Sequence, residues 1–431
     1  NMNKKQNKHD QKILIPIIVV VLILVGIGAL FILQNPVFPE LPTATLSPYQ
    51  DLPFGMSGAI SRPFVESDKV NQADTLKELS ESKEPYKHAL DLGVKWVRPG
   101  ADIYWPMVQP NPEYIINNIF DWGAADVFYG RVPQSINILA TIDALAWGIN
   151  ISSAFKTGTW EFTDEKAEKY YVKFVKEVVE RYDGDGYKDM PGLKNPIKYW
   201  QIGNEPALRP ALVKDKELAK ELLNKDPDWN GYNHLVEITY KAIKESDAEA
   251  RIALAGMAGG YPFDKTEDIF IQRFAEKERD FYARILENLK GKYIDIFDIH
   301  YYGSPNGGIK GWQWDKIKNA YNVFRRLLDE NGYKNTEIWI TETAVPSNPF
   351  GERFQAINLV KRYIYPLSFG VKKVFWWNMI EGEGPDLENE NKPSNHYGPV
   401  YDGIGKDDPG YGVKKLSYYT YKKMTEVLEG S

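Results

Sequence analysis

The stretch Tyr199-Trp200-Gln201-Ile202-Gly203-Asn204-Glu205-Pro206 joins an aromatic, apolar run to an abrupt polar end. Tyr, Trp and Ile favour a pleated, enclosed strand. Pro206 has no N–H to give to a neighbouring strand, so the strand must end before it. The pattern predicts a buried strand that places the Glu205 carboxylate at the rim of a sheet.

A second stretch has the same design. In Glu337-Ile338-Trp339-Ile340-Thr341-Glu342-Thr343-Ala344, an apolar run again ends at a glutamate. Two strand-end carboxylates in one domain are the minimum that acid/base and nucleophilic chemistry on a glycosidic bond requires. We therefore take Glu205 and Glu342 as a candidate catalytic pair.

From residue 54 onward, apolar strand-like runs alternate with amphipathic helical runs. Predicted strands cover residues 54–60, 94–98, 136–142, 197–203, 251–256, 294–301, 337–341 and 373–378. Predicted helices cover residues 71–92, 122–131, 164–182, 229–247, 270–290, 313–332, 350–369 and 414–429. Eight such repeats predict a parallel α/β sheet closed into a (β/α)8 TIM barrel. A doubly wound open sheet gives the same alternation, but no glycine-rich phosphate turn follows the first strand.

Asn204-Glu205-Pro206 together with Ile340-Thr341-Glu342 resembles the acid/base and nucleophile pair of the retaining glycoside hydrolases of clan A, which are (β/α)8 barrels. Within that clan the sequence is most similar to the endo-cellulase, mannanase and β-xylosidase families. The resemblance implies that Glu205, after the fourth strand, is the acid/base and that Glu342, on the seventh, is the nucleophile. A salt-bridged rim residue is the alternative for either glutamate alone.

The resemblance implies four supporting roles in substrate binding. Tyr302 would bond the nucleophile, His300 would contact the sugar, Arg98 would lie beside Glu342, and Asn204 would bind the sugar 2-hydroxyl. Strand alternation places His300 and Tyr302 on one face. The alternatives are a buried His and Tyr that bond neighbouring backbone groups, a structural arginine ion pair and a turn-forming asparagine.

Tryptophans follow or end several predicted strands, and sugar rings stack on aromatic faces. The resemblance implies that Trp376 or Trp377, at the eighth strand, forms the floor of the cleaved sugar's subsite. Three tryptophans inside strands are assigned to the core instead: Trp96, Trp200 and Trp339. Five further candidates for sugar platforms lie in or near predicted loops: Trp105, Trp147, Trp160, Trp312 and Trp314.

The first 53 residues differ in composition from the rest of the chain. Residues 1–12 carry four lysines and are expected to be cytoplasmic, and residues 13–33 carry no charge. An uncharged run of roughly 20 residues crosses a bilayer, and this run is too long for a cleaved signal peptide. By the positive-inside rule, residues 13–33 predict a transmembrane anchor that leaves the catalytic domain outside the cytoplasm. The proline-rich residues 34–53 predict a linker before a domain at 54–431.

Composition excludes several other classes. A formal net charge of −6 disfavours nucleic acid as a partner. The absence of cysteine excludes thiolate sites, and the five histidines show no paired spacing, so we expect no metal and no cofactor. The acidic segment at 381–412 matches no calcium-loop motif and suits the edge of a lid better.

The hypothesis from the sequence is a retaining β-glycoside hydrolase that acts on β-linked glucan, mannan or xylan by double displacement. It predicts two carboxyl groups about 5–5.5 Å apart. Two alternatives stay open: a membrane-tethered, non-catalytic glycan-binding barrel, and a transglycosidase that uses the same residues. The loops at 143–163 and 207–228, which would set sugar specificity, match no known pattern.

Overall fold

The computed structural model describes residues 52–58, 86–99, 102–144, 154–208, 217, 221, 224–258, 269–303, 312–382, 396–403 and 408–429, with the backbone alone at 269–275. Among these residues, no helix combines the length and the apolarity needed to cross a bilayer. The predicted anchor at 13–33 and most of the predicted linker lie outside the described residues, as does the first part of the predicted helix at 71–92.

Eight parallel strands form a closed ring within the described residues. With a short ninth strand, β3, the described strands are β1 Phe54–Ser57, β2 Trp96–Arg98, β3 Ile103–Tyr104, β4 Asn137–Asp143, β5 Tyr199–Ile202, β6 Arg251–Leu254, β7 Ile296–His300, β8 Glu337–Thr343 and β9 Val374–Trp377. The ring runs β1-β2-β4-β5-β6-β7-β8-β9 and closes because β1 pairs with both β2 and β9. The short β3 pairs with the end of β4. The predicted barrel and its eight strands are confirmed.

The described helices surround this ring. They are α1 Lys87–Asp91, α2 Trp105–Val108, α3 Pro112–Ile116, α4 Gly123–Tyr129, α5 Glu165–Tyr182, α6 Trp229–Ser246, α7 Ile269–Leu289, α8 Ile317–Glu330, α9 Glu352–Ser368 and α10 Leu416–Glu429. Side-chain caps fix some of the starts, as where Asp164 accepts a hydrogen bond from the Ala167 N–H at 2.8 Å. The short elements β3, α2 and α3 were not predicted, because they are too short to show a periodic pattern.

Strand alternation divides the core into two layers. One set of side chains points out from the barrel and packs against the helices. The opposite set fills the inside of the barrel at the amino ends of the strands. We call this inner apolar group the lower plug; its members are Trp96, Leu139, Tyr199, Ala253, Ile296, Trp339 and Phe375.

Aromatic rings dominate the lower plug. The Trp96 and Trp339 rings meet edge to face with centroids 5.0 Å apart, and Tyr199 lies 4.7 Å from Trp96. The Lys373 ammonium lies 5.2 Å from the centre of the Trp96 ring. The plug closes the base of the barrel, so any cleft must lie at the carboxyl ends of the strands.

Candidate active site

Two residues beyond the lower plug, five of the seven inward-facing positions are polar. Trp96 is followed by Arg98, Tyr199 by Gln201, Leu139 by Thr141, Ile296 by Asp298 and Trp339 by Thr341. All five of these polar residues are buried. We call them the polar layer; it consists of Arg98, Thr141, Gln201, Asp298 and Thr341. Side-chain hydrogen bonds join all five residues, so the layer is continuous under the mouth of the barrel.

Glu342 extends from β8 above the polar layer and receives two strong hydrogen bonds. Arg98 Nη1 donates to Oε1 at 2.6 Å, and the Tyr302 hydroxyl donates to Oε2 at 2.6 Å. Its side chain is 10% exposed. Burial opposes the charge on Arg98, but the negative charges of Glu342, Asp102 and Asp298 together outweigh it and raise the Arg98 pKa. Burial and the same carboxylate raise the pKa of Tyr302 well above its ordinary value, so its hydroxyl stays a donor.

Arg98 also fixes the residues around Glu342. Its Nε donates to Gln201 Oε1 at 2.8 Å, and its Nη2 donates to Asn204 Oδ1 at 2.8 Å. Asn204 therefore uses its oxygen on the guanidinium and presents its amide nitrogen as a donor. Ser57, at the end of β1, accepts a longer bond of 3.4 Å from Nη1. One guanidinium thus orients a carboxylate and two amides.

Glu205 follows β5 in a tight turn. Gly203 has φ of +75°, and Glu205 itself has φ of +44°, a left-handed conformation that costs a residue with a Cβ about 1 kcal/mol or more. The turn holds the Glu205 carboxyl against His300, whose Nδ1 lies 2.8 Å from Oε1. The Glu205 side chain is 17% exposed, so the carboxyl faces both the protein and the mouth of the barrel.

The two glutamates meet at His300. One carboxylate oxygen of Glu205, one of Glu342 and a ring nitrogen of His300 all lie within 4.8 Å of one another. Three such groups can hold a metal ion in principle. Here both oxygens of Glu342 already accept from Arg98 and Tyr302, so the arrangement fits a paired carboxylate site better than a metal centre.

His300 is fully buried between acidic groups. Burial alone would lower its pKa, but the negative charges of Glu342 and Asp298, together with hydrogen bonds to Asp298 and Glu205, raise it to about 10. The imidazole Nδ1 also lies 3.6 Å from Glu342 Oε2. A cationic or proton-sharing imidazole therefore separates the two carboxylates.

The structure brings Glu205, Glu342, Asn204, His300, Tyr302 and Arg98 together, as the sequence predicted. Within β7, Asp298 and His300 face into the barrel, while Ile299 packs in the outer core. The alternation expected for this strand is confirmed. The roles that the resemblance implied for the six residues remain predictions.

The two tryptophans of β9 have different surroundings. Trp376 is 0% exposed, belongs to the outer core and donates from Nε1 to the Tyr397 carbonyl at 2.9 Å. It has no ring face left for a sugar, so the interpretation of Trp376 as a platform is wrong. Phe375 lies in the lower plug, and alternation places Trp377, which is half-buried, on the same inward face. Trp377 remains a predicted sugar contact.

The other tryptophans are mostly structural. Trp96, Trp200 and Trp339 are buried, which confirms their assignment to the core. Three of the five platform candidates are also buried, and for them the prediction is wrong: Trp105, Trp160 and Trp312. Trp314 is half-buried and packs edge to face on Tyr365, and Trp147 lies outside the described residues.

Four members of the polar layer were missed as site residues: Thr141, Gln201, Asp298 and Thr341. A sequence signal existed for Gln201, since a glutamine between Trp200 and Ile202 is out of place in an apolar strand. In the structure Gln201 links Arg98 to Asp298, with its Nε2 donating to Asp298 Oδ2 at 2.6 Å.

No family model matches the sequence, and no curated protein does either. Solved structures match over most of the chain. A glucosidase from Croceicoccus marinus has a TM-score of 0.57 at 17% identity, covering 87% of this chain and 67% of its own. A family 39 glycoside hydrolase from Bacteroides cellulosilyticus WH2 has a TM-score of 0.51 at 18% identity, covering 86% and 63%.

A GH10 endoxylanase from a sugarcane soil metagenome has a TM-score of 0.53 at 14% identity, covering 87% of this chain and 97% of its own. The chain thus spans 63% of the family 39 enzyme and nearly the whole of the endoxylanase. At these identities the likeness establishes a shared architecture, and the predicted resemblance is confirmed at that level: this chain has the (β/α)8 barrel fold of the clan A glycoside hydrolases.

Proposed function

We propose that this chain is a retaining β-glycoside hydrolase that acts on β-linked oligo- or polysaccharides. The observation that carries the proposal is the approach of Glu205 and Glu342 to within 4.8 Å at the mouth of the barrel. Retaining enzymes hold their carboxyl groups about 5–5.5 Å apart, while inverting enzymes leave roughly 6.5–9.5 Å for a water molecule. A pair of carboxylate oxygens this close supports the shorter, retaining arrangement and direct attack by one carboxylate.

The surroundings of each glutamate suggest which one attacks. Glu342 accepts from a guanidinium and a phenol, which suits a carboxylate that stays ionised until it bonds the anomeric carbon. Glu205 touches His300 and keeps a partly exposed side chain, which suits a group that exchanges protons with the leaving group and with water.

The reaction follows as a double displacement. Glu205 gives its proton to the glycosidic oxygen while Glu342 attacks the anomeric carbon, so the carbon–oxygen bond to the leaving group breaks and a glycosyl ester forms. Water then attacks the same carbon and gives a proton to Glu205, which releases the sugar and restores Glu342. In this mechanism the Asn204 amide nitrogen binds the 2-hydroxyl and Trp377 supports the sugar ring.

We extend the proposal to glucan, mannan or xylan substrates, in keeping with the residue resemblance and with the glucosidase and endoxylanase that share the fold. We also propose that residues 13–33 anchor the chain and leave the barrel outside the cytoplasm, because four lysines precede this uncharged run. Fractionation with alkaline carbonate would release the chain into the soluble fraction if that anchor does not exist.

The test of the activity uses the full-length chain on aryl β-glycosides, β-glucan, mannan and xylan. Glu342→Ala and Glu205→Ala should each lower turnover, the former on the order of 10⁴-fold, because a positioned nucleophile cannot be replaced by solvent. Glu330→Ala, at the exposed end of α8, is the matched control. Azide should partly rescue Glu342→Ala and yield a product of inverted configuration.

Other outcomes would support the alternatives. A folded wild-type chain that hydrolyses nothing in the panel, yet binds one of the glycans, would favour a glycan-binding barrel. Transfer of the glycosyl group to added sugar acceptors, exceeding transfer to water, would favour a transglycosidase. Full activity in Glu342→Ala would exclude it as the nucleophile.

A further inference from the structure

Asp298 is a third carboxylate beneath the two glutamates. It is 0% exposed, and three hydrogen-bond donors face its oxygens. The Thr341 N–H donates to Oδ1 at 2.9 Å, Gln201 Nε2 donates to Oδ2 at 2.6 Å, and the Thr341 hydroxyl also donates to Oδ2. His300 Nε2 lies 3.3 Å from the same oxygen and also 3.3 Å from the Thr341 hydroxyl, whose own proton goes to Asp298.

The orientation of Gln201 shows which groups donate to Asp298. Gln201 Oε1 accepts from Arg98 Nε at 2.8 Å and from the Thr141 hydroxyl at 3.2 Å, so its NH₂ group is the part that faces Asp298. An ionised carboxylate only accepts hydrogen bonds. The imidazole nitrogen that faces it must therefore carry a proton, which assigns N–H to His300 Nε2.

Gly256 leaves room for the contact between His300 and Asp298. A Cβ at position 256 would lie 2.2 Å from His300 Nε2 and 2.5 Å from Asp298 Oδ2. Both distances are shorter than real Cβ contacts allow. Because position 256 has no side chain, the His300 imidazole has room to contact Asp298.

We propose that Asp298 is a positioning residue for the acid/base. It holds the Nε2 proton of His300 and so turns Nδ1 towards Glu205. Nδ1 and the Glu205 carboxyl then share the proton that goes to the leaving group. This inference rests on the proposed glycosidase function. With Nε2 protonated, Nδ1 and Glu205 Oε1 lie 2.8 Å apart with one proton between them. His300 then carries that proton until it is transferred to the leaving group.

The charges balance over the first half of the reaction. As Glu342 bonds the anomeric carbon it loses its negative charge, and at the same time the Glu205–His300 pair gives its proton to the departing oxygen. The pocket therefore keeps the same net charge, which limits the electrostatic cost in a buried site. In the second half, the attacking water returns the proton to the pair.

The charged and titratable groups around His300 come from four elements. They are Asp298 and Tyr302 from β7 and its end, Glu342 from β8, Glu205 after β5 and Arg98 on β2, which binds the other oxygen of Glu342. Among these groups the carboxylates outnumber the one cation, Arg98. This environment agrees with the raised pKa of His300 and predicts that the pair holds its proton well into the alkaline range.

The first experiment is nuclear magnetic resonance of the full-length chain labelled with ¹⁵N-histidine. With five histidines in the chain, His300→Gln identifies the signals. We expect Nε2 to carry a proton at neutral pH and the ring to lose a proton only above pH 8. An unprotonated Nε2, with the only ring proton on Nδ1, would overturn the proposal. This readout needs no turnover, so it stands even if the proposed activity is absent.

The second experiment compares pH profiles of kcat/KM for wild type and Asp298→Asn on an aryl β-glycoside with a poor leaving group. We expect the alkaline limb of Asp298→Asn to move to lower pH by one unit or more, with KM little changed. A dinitrophenyl glycoside, which needs no acid assistance, should show a much smaller difference between the two proteins.

The control is Glu381→Gln. Glu381 is as buried as Asp298, but its partners are Lys415, Ser347 and His396. Its loss should lower stability without moving the alkaline limb. If Asp298→Asn instead lowers kcat equally at every pH and on both substrates, Asp298 is structural only. If that variant does not fold, the wild-type ¹⁵N spectrum decides.

Discussion

The lower plug and the polar layer are built on the same strands, two residues apart. Trp339 in the plug and Thr341 in the layer both point into the barrel from β8, as Trp96 and Arg98 do from β2. The plug is held by ring contacts, whereas the layer is held by hydrogen bonds with fixed donors and acceptors. The comparison shows how a barrel separates stability at one end from chemistry at the other.

The free-energy cost of a substitution also has a different origin in the lower plug and in the polar layer. Removing a plug residue leaves a cavity, whose cost depends on lost contacts and is insensitive to pH. Removing a polar residue leaves buried donors or acceptors without partners and alters the electrostatics of the glutamates. Variants in the plug should therefore change stability more than turnover, and variants above it should do the opposite.

The largest expected effect on stability is that of Trp339→Ala in the plug. The Trp339 ring packs against Trp96, Tyr199 and Phe375, and its loss should lower the free energy of unfolding by about 3–5 kcal/mol. Turnover per folded molecule should stay within a few fold. Denaturant unfolding and active-site titration measure the two quantities.

Trp314→Ala is the matched control, because Trp314 is half-buried and packs on Tyr365 outside the barrel. It should cost clearly less stability than Trp339→Ala. A pH profile that changes in Trp339→Ala would show that the plug and the polar layer are not separate.

A middle-sized effect is expected from Tyr302→Phe above the layer. The substitution keeps the ring, whose centroid lies 5.5 Å from that of Tyr397, and removes the hydroxyl that donates to Glu342 at 2.6 Å. A hydrogen bond to a charged group contributes about 1.5–3 kcal/mol, so kcat/KM should fall roughly 10–100-fold. Steady-state kinetics on an aryl glycoside provides the measurement.

Tyr240→Phe, on the outer helix α6 and packed on Tyr293, controls for the loss of a phenol and should leave kcat/KM unchanged. Unaltered kinetics in Tyr302→Phe would remove that residue from the support of Glu342. A large loss of stability would mean instead that the hydroxyl serves the fold.

The smallest effect is expected outside both layers, at Asp183 after α5. Burial, reinforced by the charges of Asp185 and Glu180, raises its pKa to about 6, despite a hydrogen bond from the Asp185 N–H. Because the pKa is higher in the folded chain, the ionised form opposes folding above pH 6, and this cost disappears below about pH 4.

Asp183→Asn should therefore stabilise the chain at pH 7 by on the order of 1 kcal/mol, and the gain should vanish towards pH 4. Thermal unfolding at several pH values measures it, with the exposed Asp226→Asn as control. A variant that is less stable than wild type at pH 7 would show that the charge of Asp183 is needed locally.

Much of this molecule could be predicted from its sequence. All eight barrel strands and the long helices carry periodic patterns that local physics fixes, and an apolar run that ends in Glu205 or Glu342 marks a strand end without any tertiary information. The short elements β3, α2 and α3 could not be predicted, because a few residues show no period.

The error at Trp376 has a definite cause. Trp376 and Trp377 are adjacent and chemically identical. Only the orientation of β9 in the barrel decides that Trp376 points into the outer core and Trp377 towards the mouth. A composition argument cannot separate them. Phe375 in the lower plug fixes that facing, and this placement is a property of the closed barrel.

The sequence by itself determined the period of the strands and helices, the two glutamates at strand ends and the charge-free run at 13–33, because each is a local pattern. Only the tertiary structure decided that Gln201, Asp298 and His300 link the Arg98–Glu342 pair to Glu205. Those contacts join residues up to 244 positions apart, and ring closure sets which side chains share a level.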